Sequence, residues 1–445
     1  MVKNIIKKIT PRFILDFYYY IWALAGAIVY GFPSRKLIVI GVTGTNGKST
    51  VTDLTSRILI EAGFKTASLS SIRFKINDQE RQNKLKMTMP GRFSIQKFLR
   101  QAKNAGCKYV VLETTSEGIK QHRHRFIDYD VAAMTNVRPE HIESHGSFEK
   151  YRNAKGRLFA TLSQSRRKFD DKNRAIKKTS IVNLDDDGRD YFLRFKADQK
   201  WGYCLAKIEN NLPVDKIILA QDIRILPQGT QFSVDGMFFN LKLLGEFNIS
   251  NALTAISIGL SQNIDLAIIK NALEKTNSVP GRIEEIINVP FKIFVDYAHT
   301  PDAFEAIHKT VAALNPSSVI WVFGSCGGGR DKWKRPLMGK IAAKNSDRII
   351  LANEDPYDED PETILDEIEI GIKEAISDGS KVILERILDR RQAIRRAMEL
   401  AKPTDVVLIT GKGSEPWMCM PNGKKMAWDD REIVREEFQK LKKQK

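Results

Sequence analysis

Short apolar runs alternate with longer amphipathic stretches from residue 37 to about residue 260, and the same alternation resumes near residue 279. In the first section the runs lie at 37–40, 108–113, 131–136 and 180–185; in the second at 292–296, 318–323, 347–352 and 405–410. Strand-length runs rich in Val and Ile, separated by helix-length segments, predict two α/β units. Each is a mostly parallel sheet with helices on its faces. The first reads as a P-loop-type central ATPase domain and the second as a Rossmann-like doubly wound domain. In such sheets functional side chains gather beyond the carboxyl ends of the strands. The predicted partition is 1–36 as an N-terminal apolar and basic helical segment, 37–278 as the central unit and 279–445 as the C-terminal unit. The last stretch, 431–445, predicts a helix with a basic tail.

The segment 13–32, FILDFYYYIWALAGAIVYGF, breaks the alternation. Its length approaches that of a membrane span, and Lys3, Lys7, Lys8 and Arg12 precede it while Arg35 and Lys36 follow. Asp16 and the tyrosine cluster count against a full crossing, and tyrosine and tryptophan suit an interface. Three placements stay open: a helix packed on the protein body, a helix lying on a membrane surface, or a span. No small-residue cleavage site suggests a removed signal peptide.

The 445 residues exceed what one core organises, which agrees with several domains. A net charge of +17 favours acidic partners such as nucleotides, pyrophosphate-linked sugars or anionic membrane, and no nucleic-acid motif accompanies it. A basic patch at 166–178 carries seven Lys or Arg against two Asp and reads as a solvated surface. The four cysteines, Cys107, Cys204, Cys326 and Cys419, form neither a metal-binding pair nor a disulfide framework, so a reduced cytoplasmic location follows.

The segment GVTGTNGKST, residues 41–50, joins the apolar run 37–40 to a helix-like stretch. Strand, glycine loop, lysine and hydroxyl before a helix form a cradle for nucleotide phosphates. Gly44, Thr45, Asn46 and Gly47 would present backbone N–H groups, Lys48 a cation, and Ser49 or Thr50 a ligand for Mg²⁺. A strict phosphate-loop pattern would put glycine where Val42 stands.

The chain resembles the Mur ligase family from about residue 37 to 431, and is closest to its MurE branch. That branch extends UDP-N-acetylmuramoyl-L-Ala-D-Glu by one amino acid. Residues 43–49 reproduce the family's T-G-T-N-G-K-[ST], which accounts for Val42. Glu113 in LETTSEG resembles a strand-end glutamate that holds Mg²⁺, with Thr114, Thr115 and Ser116 toward the muramoyl substrate; Glu117 stands where the family often has His. Thr88 and Pro90 in TMPGR resemble the substrate loop T-T-P. The stretch TNVRPEHIESHGSFEKYRNAKGRLF, 135–159, is similar almost throughout. The resemblance implies that His141 ligates a second Mg²⁺ and that Lys155 is carbamylated and helps position metal.

Further along, Asn248 and Asn251 match residues on the adenine side of ATP. Arg282, Asp296 and His299 match positions where the C-terminal domain closes over ATP. In FGSCGGGRDKWKR, 323–335, the resemblance offers Arg330, Lys332 and Lys334 for phosphate or substrate contact, with Asp331 ordering the loop. Diaminopimelate-adding members read D-N-P-R where this chain has Glu354, Asp355, Pro356 and Tyr357, so the arginine for a distal carboxylate is missing. In GKGSE, Gly411 and Glu415 are retained and Ser414 replaces a common histidine. Lysine thereby becomes an alternative to diaminopimelate as the added residue.

The resemblance implies an ATP-dependent amide ligase working through an acyl phosphate. It would use two Mg²⁺ ions, a muramoyl-dipeptide acceptor and a free amino acid, as a cytoplasmic monomer. Members of the branch usually carry a UDP-binding domain before the phosphate loop, and about 40 residues precede it here. That raises the expectation of a lipid-linked acceptor met at the membrane. Two rivals are a MurT-like amidating ligase with a glutaminase partner and a non-catalytic membrane-attached nucleotide-binding scaffold. Folylpolyglutamate synthetase is disfavoured by EHIESHG and GRDKWKR.

Overall fold

In a computed structural model of the protein, which describes residues 10–208 and 212–444, the two alternating sections form two separate sheets. The first has nine strands: β1 (Ile38–Thr43), β2 (Thr66–Leu69), β3 (Arg73–Ile76), β4 (Gln79–Gln82), β5 (Tyr109–Glu113), β6 (Val131–Met134), β7 (Thr179–Asn183), β8 (Gln199–Cys204) and β9 (Lys216–Leu219). Their order is β4-β3-β2-β5-β1-β6-β7-β8-β9. All pairings from β2 to β9 are parallel, and the β2–β3–β4 edge is antiparallel. β1 is central and wholly buried, because its Val and Ile side chains face apolar layers on both sides.

A three-stranded antiparallel sheet follows, β10 (Gln221–Leu226), β11 (Gly229–Val234) and β12 (Met237–Leu241). This sheet and the β3–β4 hairpin are not visible in the alternation of the sequence. The second large sheet comprises β13 (Glu284–Ile287), β14 (Lys292–Val295), β15 (Val319–Phe323), β16 (Arg348–Leu351), β17 (Ile383–Arg386) and β18 (Val406–Ile409), in the order β13-β14-β18-β15-β16-β17. Only β13 runs antiparallel to its neighbour. The chain passes between the two units after the helix Leu266–Glu274 and before β13. It ends in the helix Asp430–Gln444, which packs Ile433, Val434 and Phe438 onto the second sheet's core.

The N-terminal apolar stretch is a helix, Arg12–Val29, and no described helix is long and apolar enough to cross a membrane. Its small residues make close packing possible. Ala23 and Ala27 are buried, and a Cβ on Gly26 would already sit 3.4 Å from the Arg92 carbonyl oxygen of the helix Arg92–Asn104. Trp22 and Phe93 meet edge to face at 5.3 Å, and the Arg92 guanidinium lies 4.0 Å above the Tyr19 ring. Tyr20 packs on Phe126 and His122. The opposite stripe stays open: Phe13 is 73% exposed and Phe17 67%, with Ile28 and Val29 also exposed.

The basic patch departs from the solvated surface expected of it. Lys168 and Lys178 are buried, and their ammonium groups reach the two oxygens of the fully buried Asp130 at 2.5 and 2.9 Å. Asp130 also accepts from the Val39 amide at 2.8 Å, so one carboxylate ties β1 to the patch. A buried carboxylate requires such compensation, and a local charge count cannot reveal it. The four cysteines are free thiols.

His124 lies beneath the N-terminal helix's docking region, is buried, and has no hydrogen-bond partner on either ring nitrogen. Burial, reinforced by Arg125 and His122, pulls its pKa down to about 3. The folded protein therefore keeps it neutral, while an unfolded chain protonates it below about pH 6.5. Its contribution is full above that pH and is lost as pH falls toward 3. Urea unfolding across this window should give a shallower acid loss of stability for His124→Phe than for the parent protein; equal slopes would refute the assignment.

Candidate functional site

One cavity of about 590 Å³ opens between the two sheets, walled by the carboxyl ends of β1, β5 and β6 on one side and the segments after β14 and β15 on the other. The phosphate loop forms its floor. Gly47 has φ 82°, and a Cβ there would come within 2.2 Å of Asn251 Oδ1, so only glycine fits. Gly44 is equally constrained, since its Cβ would fall 1.8 Å from Thr135 Oγ1. Thr135 and Asn136 brace the loop: Thr135 Oγ1 donates to the Asn46 carbonyl (2.6 Å), and Asn136 Oδ1 accepts from the Asn46 amide (2.9 Å). The helix Lys48–Glu61 starts directly after Gly47, so its free N–H groups and dipole face the cavity.

Two buried ammonium groups project at this loop with no carboxylate in contact. Lys48 Nζ donates to the Thr45 carbonyl (2.7 Å), and Lys155 Nζ donates to the Gly44 carbonyl (2.5 Å) from above the Tyr151 ring. Burial lowers the Lys48 pKa, with Arg282 adding to the effect against Glu113. Burial and the neighbouring Lys48 take Lys155 well below the ordinary lysine value. Such a site carries positive potential in a low dielectric and suits a polyphosphate.

Glu113, buried at the end of β5, accepts through Oε2 from Ser49 Oγ (2.9 Å) and from the Ser71 amide (2.8 Å). Among the described residues no three His, Cys, Asp or Glu gather into a metal cluster. Mg²⁺ needs no such cluster, because it takes one or two carboxylates and completes its octahedron with phosphate oxygens and water. Ser49 and Glu113 fit that demand. Burial, then Arg330 and Lys155, hold the His141 pKa well below the usual imidazole value, so its ring is a neutral potential ligand. Glu140 beside it pairs with Lys334 at 2.9 Å through one oxygen and leaves the other buried without a partner.

The C-terminal unit contributes from the opposite wall. Arg282 reaches Ser49 Oγ (3.3 Å) and Ser71 Oγ (3.4 Å) and stacks on Tyr297. Both oxygens of Asp296 accept backbone amides, from Ile283 and Ala298, and burial raises its pKa. The Tyr297 carbonyl can only accept, so His299 donates from Nδ1 (2.8 Å) and presents a bare Nε2. Arg330 and Glu415 also line the cavity.

Most residues proposed from the sequence meet here: 44–50, Thr88, Glu113, Thr115, Ser116, His141, Lys155, Asn251, Arg282, Asp296, His299, Arg330 and Glu415. Others stand off its wall. Pro90 is buried just ahead of the helix Arg92–Asn104, and Thr114 turns inward to the Leu112 carbonyl. Asn248 accepts from Asn251 Nδ2 and donates to the Leu244 carbonyl, so it orients Asn251 from behind. Asp355 lies behind Lys86, Lys412 and Glu415, while Gly411 packs against Glu354 and Tyr357 against Gly328. Lys334 is committed to Glu140 and Lys332 to Glu359, and Asp331 accepts from the amides of Ile142 and Glu143. Lys334, Asp331 and the Lys332 amide, which donates to Glu143 Oε1, join the two units.

Several lining residues carry no sequence signal of their own: Ser71, Asn83, Lys86, Gln121 and Arg123. Arg123 donates to Gln121 Oε1 (2.8 Å) and to the Met89 carbonyl. Glu117 faces His145 at 3.2 Å; burial opposes its ionisation, but His145 and Ser144 bring its carboxyl down to about 2.

Comparison with known proteins agrees with this geometry. The Mur ligase middle domain matches residues 42–259, and the Mur ligase glutamate ligase domain matches residues 281–413. A UDP-N-acetylmuramoyl-L-alanyl-D-glutamate–2,6-diaminopimelate ligase of Syntrophomonas wolfei is 35% identical over 419 residues, covering 93% of this chain and 81% of that protein. A UDP-N-acetylmuramyl-tripeptide synthetase of a Roseiflexus species is 37% identical over 398 residues, 87% of this chain and 76% of that protein. A solved diaminopimelate ligase of the same name as the first superposes with a TM-score of 0.59 at 28% identity, over 92% of this chain and 79% of that one. Mycobacterium tuberculosis folylpolyglutamate synthase with ADP and AMPPCP shares the fold, with a TM-score of 0.68 at 15% identity over 88% of this chain and 92% of that one.

Proposed function

The chain belongs to the Mur ligase family of ATP-dependent ligases, and from that premise we propose that it joins a free amino acid, lysine- or diaminopimelate-like, to the glutamate carboxylate of a muramoyl-L-Ala-D-Glu precursor. The observation that carries the reading is the meeting of both units on one cavity, where the Arg282 guanidinium reaches the Ser49 hydroxyl beside Glu113. The acceptor carboxylate attacks the γ-phosphorus of ATP, releasing ADP and leaving an acyl phosphate; the amine then attacks the acyl carbon, phosphate departs and the amine loses a proton. Lys48 and the loop amides hold the phosphates, and Arg282 offsets charge from the far wall. Ser49 and Glu113 would hold Mg²⁺, which would supply charge neutralisation for phosphoryl transfer. Closure between the units keeps water from the acyl phosphate. Purified protein with ATP and UDP-muramoyl-L-Ala-D-Glu should release phosphate only when an accepted amino acid is added, and Lys48→Ala should lower the rate by about 10²-fold or more. Amino-acid-independent release, or none with any donor, would remove this reading.

The finer reading includes a second Mg²⁺ and a carbamylated Lys155. What supports it is a buried amine whose pKa burial and Lys48 lower, beside His141 and the unpartnered oxygen of Glu140. The neutral Lys155 amine would add to the carbon of CO₂ and release one proton, so that an amine becomes a carbamate anion that can hold metal. Activity should drop about tenfold or more after prolonged CO₂ removal and return with bicarbonate, while Lys155→Arg stays inactive in both. An unchanged rate without CO₂ would count against the modification.

The site of action is the cytoplasm, at the inner face of the membrane. The open stripe of the helix Arg12–Val29 supports surface contact, because its exposed Phe13, Phe17, Ile28 and Val29 are apolar side chains and basic residues flank it in sequence. The same stripe favours, as a second reading, an acceptor linked to lipid and not to UDP. The protein should sediment with phosphatidylglycerol vesicles more than with phosphatidylcholine vesicles, and Phe13→Glu with Phe17→Glu should abolish this without loss of fold. Failure to sediment with either would exclude the contact.

A further inference from the structure

The pocket beside Glu415 already contains an ammonium group, supplied by the other half of the chain. Lys86 lies on the loop after β4, in the central unit, and its Nζ sits 2.5 Å from Asp355 Oδ2 and in contact with Glu415 Oε2. Asp355 and Glu415 belong to the C-terminal unit, on the segments after β16 and β18. Lys412 is a second cation on the same pair, at 2.8 Å from Asp355 Oδ1 and 2.9 Å from Glu415 Oε2.

The two lysines differ in kind. Lys412 is fully buried, is from the same unit as the acids, and also donates to the Trp417 carbonyl (2.7 Å). It is the fixed counter-ion. Lys86 lines the cavity, retains some exposure and holds a left-handed backbone with φ 55°. A non-glycine residue keeps that conformation only when its surroundings impose it. With Lys412 alone, two carboxylates share one ammonium. The pair therefore requires one further cation, and in this structure Lys86 is that cation.

Other charged groups around the pair do not remove the requirement. Arg330 faces the same cavity and acts on Glu415 through its charge, but makes no ion pair with it among the described residues. Glu354 stands behind Gly411, and burial raises its carboxyl to about 7. Arg390 is spent on Asp430.

We propose that Lys86 is a displaceable occupant of the amino-acid pocket: it holds the Asp355–Glu415 pair until the side-chain ammonium of the incoming amino acid replaces it, and it thereby selects cationic side chains over neutral and acidic ones. The inference rests on the ligase reading above and names the chemistry of its donor. The exchange breaks no covalent bond. One ammonium leaves the acid pair as another arrives, and Lys86 moves toward solvent at the cavity mouth. A side chain ending in ammonium alone satisfies the pair. One that adds a carboxylate there brings a further negative charge against Asp355 and Glu415.

Calorimetric titration of lysine, ornithine, norleucine and meso-diaminopimelate into the full chain tests this without turnover, and amino-acid-dependent phosphate release tests it with turnover. Lysine should bind more tightly than diaminopimelate, and norleucine should not bind. Lys86→Ala should tighten lysine about fivefold or more, because the occupied fraction no longer reduces its apparent affinity. Lys86→Arg should retain the parent's discrimination. Asp355→Asn should weaken lysine by about tenfold or more and leave norleucine undetected. Weaker lysine binding in Lys86→Ala, or a preference for diaminopimelate that Lys86→Ala abolishes, would overturn the proposal by making Lys86 a direct ligand for substrate. Absence of lysine binding in both proteins would overturn it as well. Binding that follows these expectations without phosphate release would instead place the fault in the assigned acceptor.

Discussion

Lys48 and Lys155 place two amines in one buried loop with backbone carbonyls as their nearest partners, and much of the cavity's construction answers that arrangement. A buried ammonium without a counter-charge is costly enough that it loses its proton or recruits an anion. Of the carboxylates near the phosphate loop, Glu113 is held by Ser49 and the Ser71 amide and Glu140 pairs with Lys334, so neither is in contact with either lysine. The site is thereby left with an unsatisfied preference for negative charge at the phosphate loop. Polyphosphate satisfies it at Lys48, and conversion of Lys155 to an anion would satisfy it in the opposite sense.

The second unit meets this centre through charged and hydrogen-bonded contacts, beside the packing of Leu244 and Phe247 on its core. Lys334 and Glu140 form a buried pair across the boundary, Asp331 caps two amides of the segment after His141, and Arg282 reaches the Ser49 hydroxyl. Each contact comes from a loop at the carboxyl end of a strand or from the connection entering the second sheet. Because these contacts are hydrogen-bonded and specific, they define one closed arrangement. Because they are few, they can part for substrate to enter. The Gln82 and Lys84 contacts with Ser414 and Trp417 belong to the same set and carry Lys86 into the opposite unit.

Much of the cavity was readable from residue order alone. The glycines at 44 and 47, Lys48 and Ser49 lie within ten residues, and local geometry obliges them to converge wherever a strand leads into a helix. Glu113 was readable because it ends a strand of a parallel sheet, whose carboxyl ends share one edge, whereas His141 and Lys155 were readable through the resemblance to the family alone. Asn248, Thr114 and Pro90 were read as contacts and stand behind the wall. Sequence spacing locates a turn but does not say which of two adjacent side chains points inward.

The sequence by itself determined the two α/β units, the central strands of each and the phosphate cradle, because periodicity and glycine placement act over a few residues. Tertiary structure alone decided the fate of the long-range charges. Lys168 and Lys178 turned from an apparent solvated patch into the partners of Asp130, and Lys334 turned from a phosphate candidate into the mate of Glu140. Lys86 found its acids some 270 and 330 residues away, at Asp355 and Glu415. A charged side chain states its sign in the sequence, but the dielectric and partner that give it a role exist only once distant segments have packed around it.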